Sequence, residues 1–195
     1  MKKSIIIASN NAGKVREFKN ALTNFEIKSL GDIGIESEVK ENGLTFEENA
    51  RLKADAYSKL TGLPVIADDS GLQVDALNGR PGVFSARYAG DHNDAANNAK
   101  ILTELGGLPS EKRKATFHTT LIFKTPDGEE VIANGDLKGR ILSVPRGKNG
   151  FGYDPLFFVP TLGKSLAELT VDQKNKISHR ALAIQELVPL LQKYQ

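Results

Sequence analysis

Residues 115–137 read "ATFHTTLIFKTPDGEEVIANGDL". Two runs rich in β-branched and aromatic residues flank Thr-Pro-Asp-Gly, whose residue types favour a tight turn. Run, turn and run predict a β-hairpin. A hairpin pairs its strands antiparallel, so any sheet containing it is not purely parallel.

Working outward, "DAANNAKILTELGGLP" precedes the hairpin and predicts a helix with Ile101, Leu102 and Leu105 along its apolar edge. After the hairpin, "GRILSVPRGKNGFGYDPLFFVP" predicts a glycine-rich loop and a strand, and "SHRALAIQELVPLLQKYQ" a last amphipathic helix. The N-terminal part alternates. A strand over Ser4–Ala8 leads through "SNNAGK" to a helix carrying Val15, Phe18 and Leu22. A second helix carries Phe46, Ala50, Ala54 and Tyr57 on one face. Thr45 and Glu48 suit a capping box at its start, and Gly62 and Pro64 are stop signals. A short strand over Pro64–Ala67 then runs into Asp68 and Asp69. These elements predict an α/β fold around a mixed or strongly curved sheet with flanking helices.

A chain of 195 residues supports one substantial core, so a single domain over residues 1–195, pinched at most into two lobes, is expected. Apolar residues make up 39% and charged residues 26%, the composition of a water-soluble globular protein. A formal net charge of +2 is too small for general affinity to nucleic acid or an anionic membrane. The chain has no cysteine, which excludes disulfides and thiolate metal sites. The apolar run in "MKKSIIIASNN" is too short for a signal-peptide core or a membrane span, and a cytoplasmic protein is expected. His92, His118 and His179 lack the spacing of a zinc site. "DHNDAA" lacks the glycine of a calcium loop.

Certain stretches carry polar groups where chemistry could occur. In a strand, consecutive side chains point to opposite faces, so Asp68 and Asp69 could share a task only where the strand ends or bends. They could cap a turn; equally, a divalent cation would remove their repulsion and gain hard oxygen ligands. "SNNAGK" lies between a strand and a helix, where free N–H groups and the helix dipole attract phosphate. It is no P-loop, since Ala8 and Val15 stand where glycine and serine or threonine would be required. An Asn-rich turn is the alternative. Asn49 and Lys53 share a helical face, with Glu41 just before it; solvated surface groups would show the same spacing. "GKNGFGYDP" combines a loop permitting close approach with rings able to stack on a base, or with rings that pin the loop to the core. "KNKISHRA" sets Lys174, Lys176, His179 and Arg180 around the start of the last helix, with Ser178 a plausible N-cap.

The order "SNNAGK", "ENGLTFEENARLKA", "ADDSGL", "GRPGVFSARYAG", "GKNGFGYDPLF", "SHRALA" closely resembles that of the inosine triphosphate pyrophosphatase family, also called the Ham1 or dITP/XTP pyrophosphatases. The resemblance runs from the first strand to the last helix. It implies an elongated α/β fold with two lobes around a nucleotide cleft, usually as a homodimer. It also implies magnesium-dependent hydrolysis of inosine and xanthosine triphosphates to monophosphate and pyrophosphate, cleaning the nucleotide pool. By position, Ser9, Asn10, Asn11, Ala12, Gly13 and Lys14 would contact the triphosphate. Asp69 would be general base and metal ligand, with Glu41 and Asp68 completing the metal cluster and Ser70 touching substrate. Asn49 and Lys53 would face the phosphates. Phe151, Gly152, Tyr153 and Asp154 would bind the nucleoside, and Lys174, His179 and Arg180 would close over base and phosphates.

Two enzymatic or ligand-binding alternatives remain open on sequence: a related pyrophosphatase for modified pyrimidine nucleotides, and a nucleotide sensor without catalysis. A nucleic-acid-binding module is disfavoured by the near-neutral charge and the lack of a basic aromatic stripe.

Overall fold

The computed structural model describes residues 2–90 and 93–195. His92 and part of the "DHNDAA" stretch lie outside the described residues. Among the described residues, no helix is long and apolar enough to cross a membrane.

The chain forms one open seven-stranded sheet in the order β2-β1-β3-β4-β5-β6-β7. The strands are β1 (Ser4–Ile7), β2 (Glu26–Ser29), β3 (Val65–Val74), β4 (Lys114–Lys124), β5 (Glu130–Ile141), β6 (Phe157–Val159) and β7 (Lys164–Ser165). β1 pairs parallel with β2 and β3. β5 pairs antiparallel with β6, and β6 with β7. The sheet is therefore mixed, as the predicted hairpin required. Its turn closes where Thr125 N–H reaches Glu129 O and Gly128 N–H reaches Thr125 O, both at 3.0 Å. Gly128 takes φ +99° there, a conformation glycine adopts without a Cβ clash.

The helices are α1 (Ala12–Ala21), α2 (Phe46–Thr61), α3 (Asp94–Leu105), α4 (Val171–Ile177) and α5 (His179–Leu190). Contacts divide the chain into two compact units. The first comprises Met1–Asp69, Thr119–Gly135 and Arg180–Gln195; the second comprises Ser70–His118 and Asp136–His179. In the first unit β1 is buried on both faces, which explains its unbroken Ile-Ile-Ile. Ile5 and Ile7 pack with Val15 and Phe18 of α1 and Ala183, Ile184 and Leu187 of α5. Ile6 packs on the opposite face with Ala50, Ala54 and Tyr57 of α2. In the second unit, Ile101 and Leu105 of α3 share a core with Leu72, Phe117, Tyr153, Leu156 and Phe157.

Local expectations hold at α1 and α2 with differences of detail. Thr45 caps α2 by accepting from Glu48 N–H at 3.1 Å. Glu48 does not return the bond to Thr45 but accepts from Leu44 N–H at 2.6 Å. Gly62 ends the helix with φ +62°. The strand expected to stop at Ala67 instead continues through Asp68 and Asp69 to Val74. Its polar residues mimic a turn, yet both aspartates are buried and the pleat continues through them. "KNKISHRA" also divides differently from expectation. Lys174 and Lys176 belong to α4, whose box joins Thr170 and Gln173, while Ser178 is the C-cap of α4 and directly precedes α5.

Candidate active site

In the first unit, β1 ends beside the Asn-rich loop and β3 delivers Asp68 and Asp69. Asn11 caps α1, its Oδ1 accepting from Gly13 N–H at 2.9 Å and Lys14 N–H at 3.1 Å. Asn10 Oδ1 accepts from Gly31 N–H at 2.6 Å, and Ser9 Oγ accepts from Asn11 N–H at 3.1 Å. Both asparagines thus commit their carbonyl oxygens to backbone and keep their amide N–H₂ groups as donors. The helix N-terminus is capped by Asn11, so an incoming anion would meet side-chain donors and the Lys14 ammonium first.

Lys14 Nζ lies 2.9 Å from Asp68 Oδ2. Arg180 Nε lies 3.5 Å from the same oxygen, and Arg180 Nη1 lies 3.5 Å from Glu17 Oε2. Burial opposes ionisation of Asp68, but the charges of Lys14, Arg180 and Lys53 outweigh it and hold the carboxyl far below the usual carboxylate range. Asp69 has a different surrounding. Asn49 Nδ2 donates to its Oδ2 at 3.1 Å, while Asn49 Oδ1 accepts from Gly43 N–H at 2.8 Å. Burial and the negative charges of Glu41 and Asp68 outweigh Lys53 and that hydrogen bond, and Asp69 is pushed up to about 6. Lys53 Nζ sits 2.6 Å from Glu41 Oε1. Burial would lower its pKa, but Asp68, Glu41 and Asp69 together raise it.

The first unit therefore brings together Ser9–Lys14, Glu41, Asn49, Lys53, Asp68, Asp69 and Arg180. Asn49 is fully buried and orients Asp69. Glu17 and Gly43 join the same network, and neither stands out in the sequence. Glu17 lies on α1 three residues after Lys14, at helical spacing, the one signal that could have pointed to it.

Among the described residues, no group of three His, Cys, Asp or Glu side chains is arranged to hold a metal ion. The donors nevertheless suit a hard divalent cation. Glu41, Asp68 and Asp69 supply only oxygen, and burial, with the charges of Glu41 and Asp68, raises the pKa of Asp69. Asp68 is engaged by Lys14 and Arg180, and Glu41 by Lys53.

The second unit carries Ser70, Phe151, Gly152, Tyr153, Asp154, Lys174 and His179. Phe151 is 68% exposed although it is a large aromatic, and Lys174 Nζ lies 4.5 Å from its ring centroid. Asp154 is buried and pairs with Lys174. It also accepts from Phe151 N–H at 2.9 Å. Asp154 thus braces the loop through Oδ2. Gly150, at φ +78°, carries no Cβ because one would collide with Asp154 Oδ2. Tyr153 is core, its hydroxyl donating to Ser85 O at 2.7 Å. His179 stacks on Phe117, with centroids 5.0 Å apart and planes 12° apart.

The first unit thus holds paired carboxylates near lysines; the second, described by itself, holds an exposed aromatic ring beside a lysine. The Ham1 family model matches residues 5–190, and the chain belongs to the Ham1 family. It is 60% identical over 187 residues to the dITP/XTP pyrophosphatase of Lactiplantibacillus plantarum, covering 95% of this chain and 93% of that protein. It is 51% identical to the dITP/XTP pyrophosphatase of Bacillus subtilis, covering 97% and 98%. The Ham1 protein of Staphylococcus aureus superposes with a TM-score of 0.92 at 44% identity, covering 99% of this chain and 100% of that one.

Proposed function

We propose that this chain is a nucleoside triphosphate pyrophosphatase that hydrolyses the α–β phosphoanhydride of non-canonical purine nucleotides, dITP and XTP among them, to the monophosphate and pyrophosphate. The relatives' shared name supports the substrate class. The observation that carries the chemistry is the unequal surrounding of adjacent carboxylates: Asp68 is paired with Lys14 and Arg180, while Asp69 is buried and oriented by the Asn49 amide, as a general base must be.

Asp69 would take the proton from a water attacking the α phosphorus as the bridging P–O bond breaks and pyrophosphate departs. Lys14, Lys53 and Lys174 would offset the charge on the leaving group. Magnesium held by Asp69 and Glu41, with Asp68 supporting the cluster, would reduce phosphate repulsion and make its bound water more acidic. Ser9, Asn10, Asn11, Ala12 and Gly13 would contact the triphosphate, with Ser70 also touching substrate. Phe151 would stack on the base. His179 and the remaining N–H groups of Arg180 would donate to a 6-keto oxygen; adenine's amino group would leave such a donor unpaired, at a cost of about 1–3 kcal/mol.

Residues 1–195 would act as a single domain, since β3, β4 and β5 each run from one compact unit into the other. We assign the enzyme to the cytoplasm as a homodimer, with no role for nucleic acid or membrane. Assay of ITP, XTP, ATP, GTP and dUTP with magnesium, scoring pyrophosphate and orthophosphate separately, tests the whole reading. Pyrophosphate from ITP and XTP is expected; orthophosphate alone, or a preference for ATP or dUTP, would remove it.

A further inference from the structure

The Phe151 ring is exposed, and its recorded ring contact is with Lys174. With little packing on the ring, the backbone around it fixes the direction of the Cα–Cβ bond from which it projects. The next residue, Gly152, takes φ +60° and is gripped on both of its peptide planes. Its N–H donates to Asp94 Oδ2 at 2.7 Å. Its carbonyl accepts from Asn98 Nδ2 at 2.8 Å. Asp94 and Asn98 are four residues apart on α3 and so share a face. The same Asn98 Nδ2 also donates to Asp94 O at 2.8 Å, which ties the two arms together. Further along the same face, α3 is seated by buried Ile101 and Leu105, so the clamp is mounted on a fixed element.

We propose that Asp94 and Asn98 are positioning residues that aim the Phe151 ring by clamping the peptide planes of Gly152. The remaining anchors fill this task only in part: Asp154 N–H donates to Phe151 O at 3.2 Å, on the same peptide plane as Gly152 N–H. Lys148 and Asn149 N–H groups bind Ala167 O at 3.1 and 3.0 Å, before the ring. Asp154 accepts from Phe151 N–H at 2.9 Å, and Tyr153 is fixed beyond it through Ser85. Among the described residues, Asp94 and Asn98 tie both peptide groups of Gly152 to α3, and rotation of those groups would swing the ring. The consequence for catalysis rests on the reading of Phe151 as the base platform.

The chain contains no tryptophan, so Phe151→Trp installs a single fluorescent reporter at the ring. In that background Asn98→Leu and Asp94→Ala, each removing one arm, are expected to lower the anisotropy and raise acrylamide quenching of Trp fluorescence. Asp94→Asn keeps an acceptor oxygen and is expected to retain the parent signal. With Phe151 in place, Asn98→Leu and Asp94→Ala are expected to raise KM for ITP about 10-fold, the scale of one lost hydrogen bond, at unchanged kcat and with a cooperative thermal transition retained at a slightly lower melting temperature. Unchanged anisotropy, quenching and KM in either folded variant would overturn the clamp. A loosened reporter with unchanged KM would uphold the clamp and reject Phe151 as the base platform.

Discussion

Asp68 and Asp69 are adjacent in β3, yet their carboxylates answer to different partners: Asp68 to Lys14 at 2.9 Å and Arg180 at 3.5 Å, Asp69 to the Asn49 amide at 3.1 Å. Strand alternation produces this separation. One carboxylate holds cations in place while the next is left with surplus negative charge around it, and the proposed division between scaffold and base follows.

Asp69→Asn is expected to reduce kcat about 10²–10⁴-fold, the usual contribution of a general base, with substrate binding retained. Pyrophosphate release and equilibrium nucleotide binding measure the two separately. A loss of only a few fold would remove Asp69 as the base.

The same substitution has a stability signature. The folded pKa of Asp69 is raised to about 6 from 3.8, so the folded state binds the proton more tightly than the unfolded chain. Its carboxyl carries no penalty below about pH 4, and stability is lost as pH rises through the interval to about 6. Without metal, Asp69→Asn should therefore match the wild type near pH 4 and exceed it at pH 8 by on the order of a few kcal/mol. Urea titrations at both pH values provide the comparison; equal stability at pH 8 would contradict the raised pKa.

Asp68 runs the other way. Its folded pKa is depressed, so its stabilisation is present above the unfolded value and lost as pH falls through the acid range. Asp68→Ala removes the shared partner of Lys14 and the buried Arg180, and should cost about 3–5 kcal/mol. An urea midpoint close to wild type would show that these cations find other partners.

Chelation is expected to stop pyrophosphate release, and added magnesium to restore it and raise the melting temperature. Full turnover in excess chelator would exclude the proposed metal role.

Phe151→Ala should raise KM for ITP and XTP about 10–100-fold, matching about 1–3 kcal/mol of base stacking, without lowering the melting temperature because the ring is mostly exposed. Gly150→Ala should be more damaging, since its Cβ collides with Asp154 and the φ is unfavourable for a side chain. A Gly150→Ala enzyme with normal KM would separate the Asp154 brace from nucleotide binding.

Local chemistry made much of the scaffold legible. The Ile-Ile-Ile run of β1, the helical spacing of Phe46, Ala50, Ala54 and Tyr57, and the Pro-Asp-Gly turn between β4 and β5 each declare their element within a few residues. The run through Asp68, Asp69, Ser70 and Gly71 misleads because those residues favour turns in isolation. They remain in a strand because Lys14 and Arg180, far apart in sequence, supply the charge that burial requires. Asp154 gains a role that its loop position does not announce: folding brings Lys174 and the Phe151 N–H onto its Oδ2.

From the chain's order of residues alone follow the mixed sheet, the helices that flank β1, and the motifs that mark the Ham1 family, since periodicity, turn chemistry and motif order are properties of neighbouring residues. Tertiary structure alone decided which carboxylate is neutralised, which amide orients Asp69, and which helix grips Gly152. Those outcomes depend on burial and on charges brought together across long separations, where electrostatic and hydrogen-bond energies depend on distance in space.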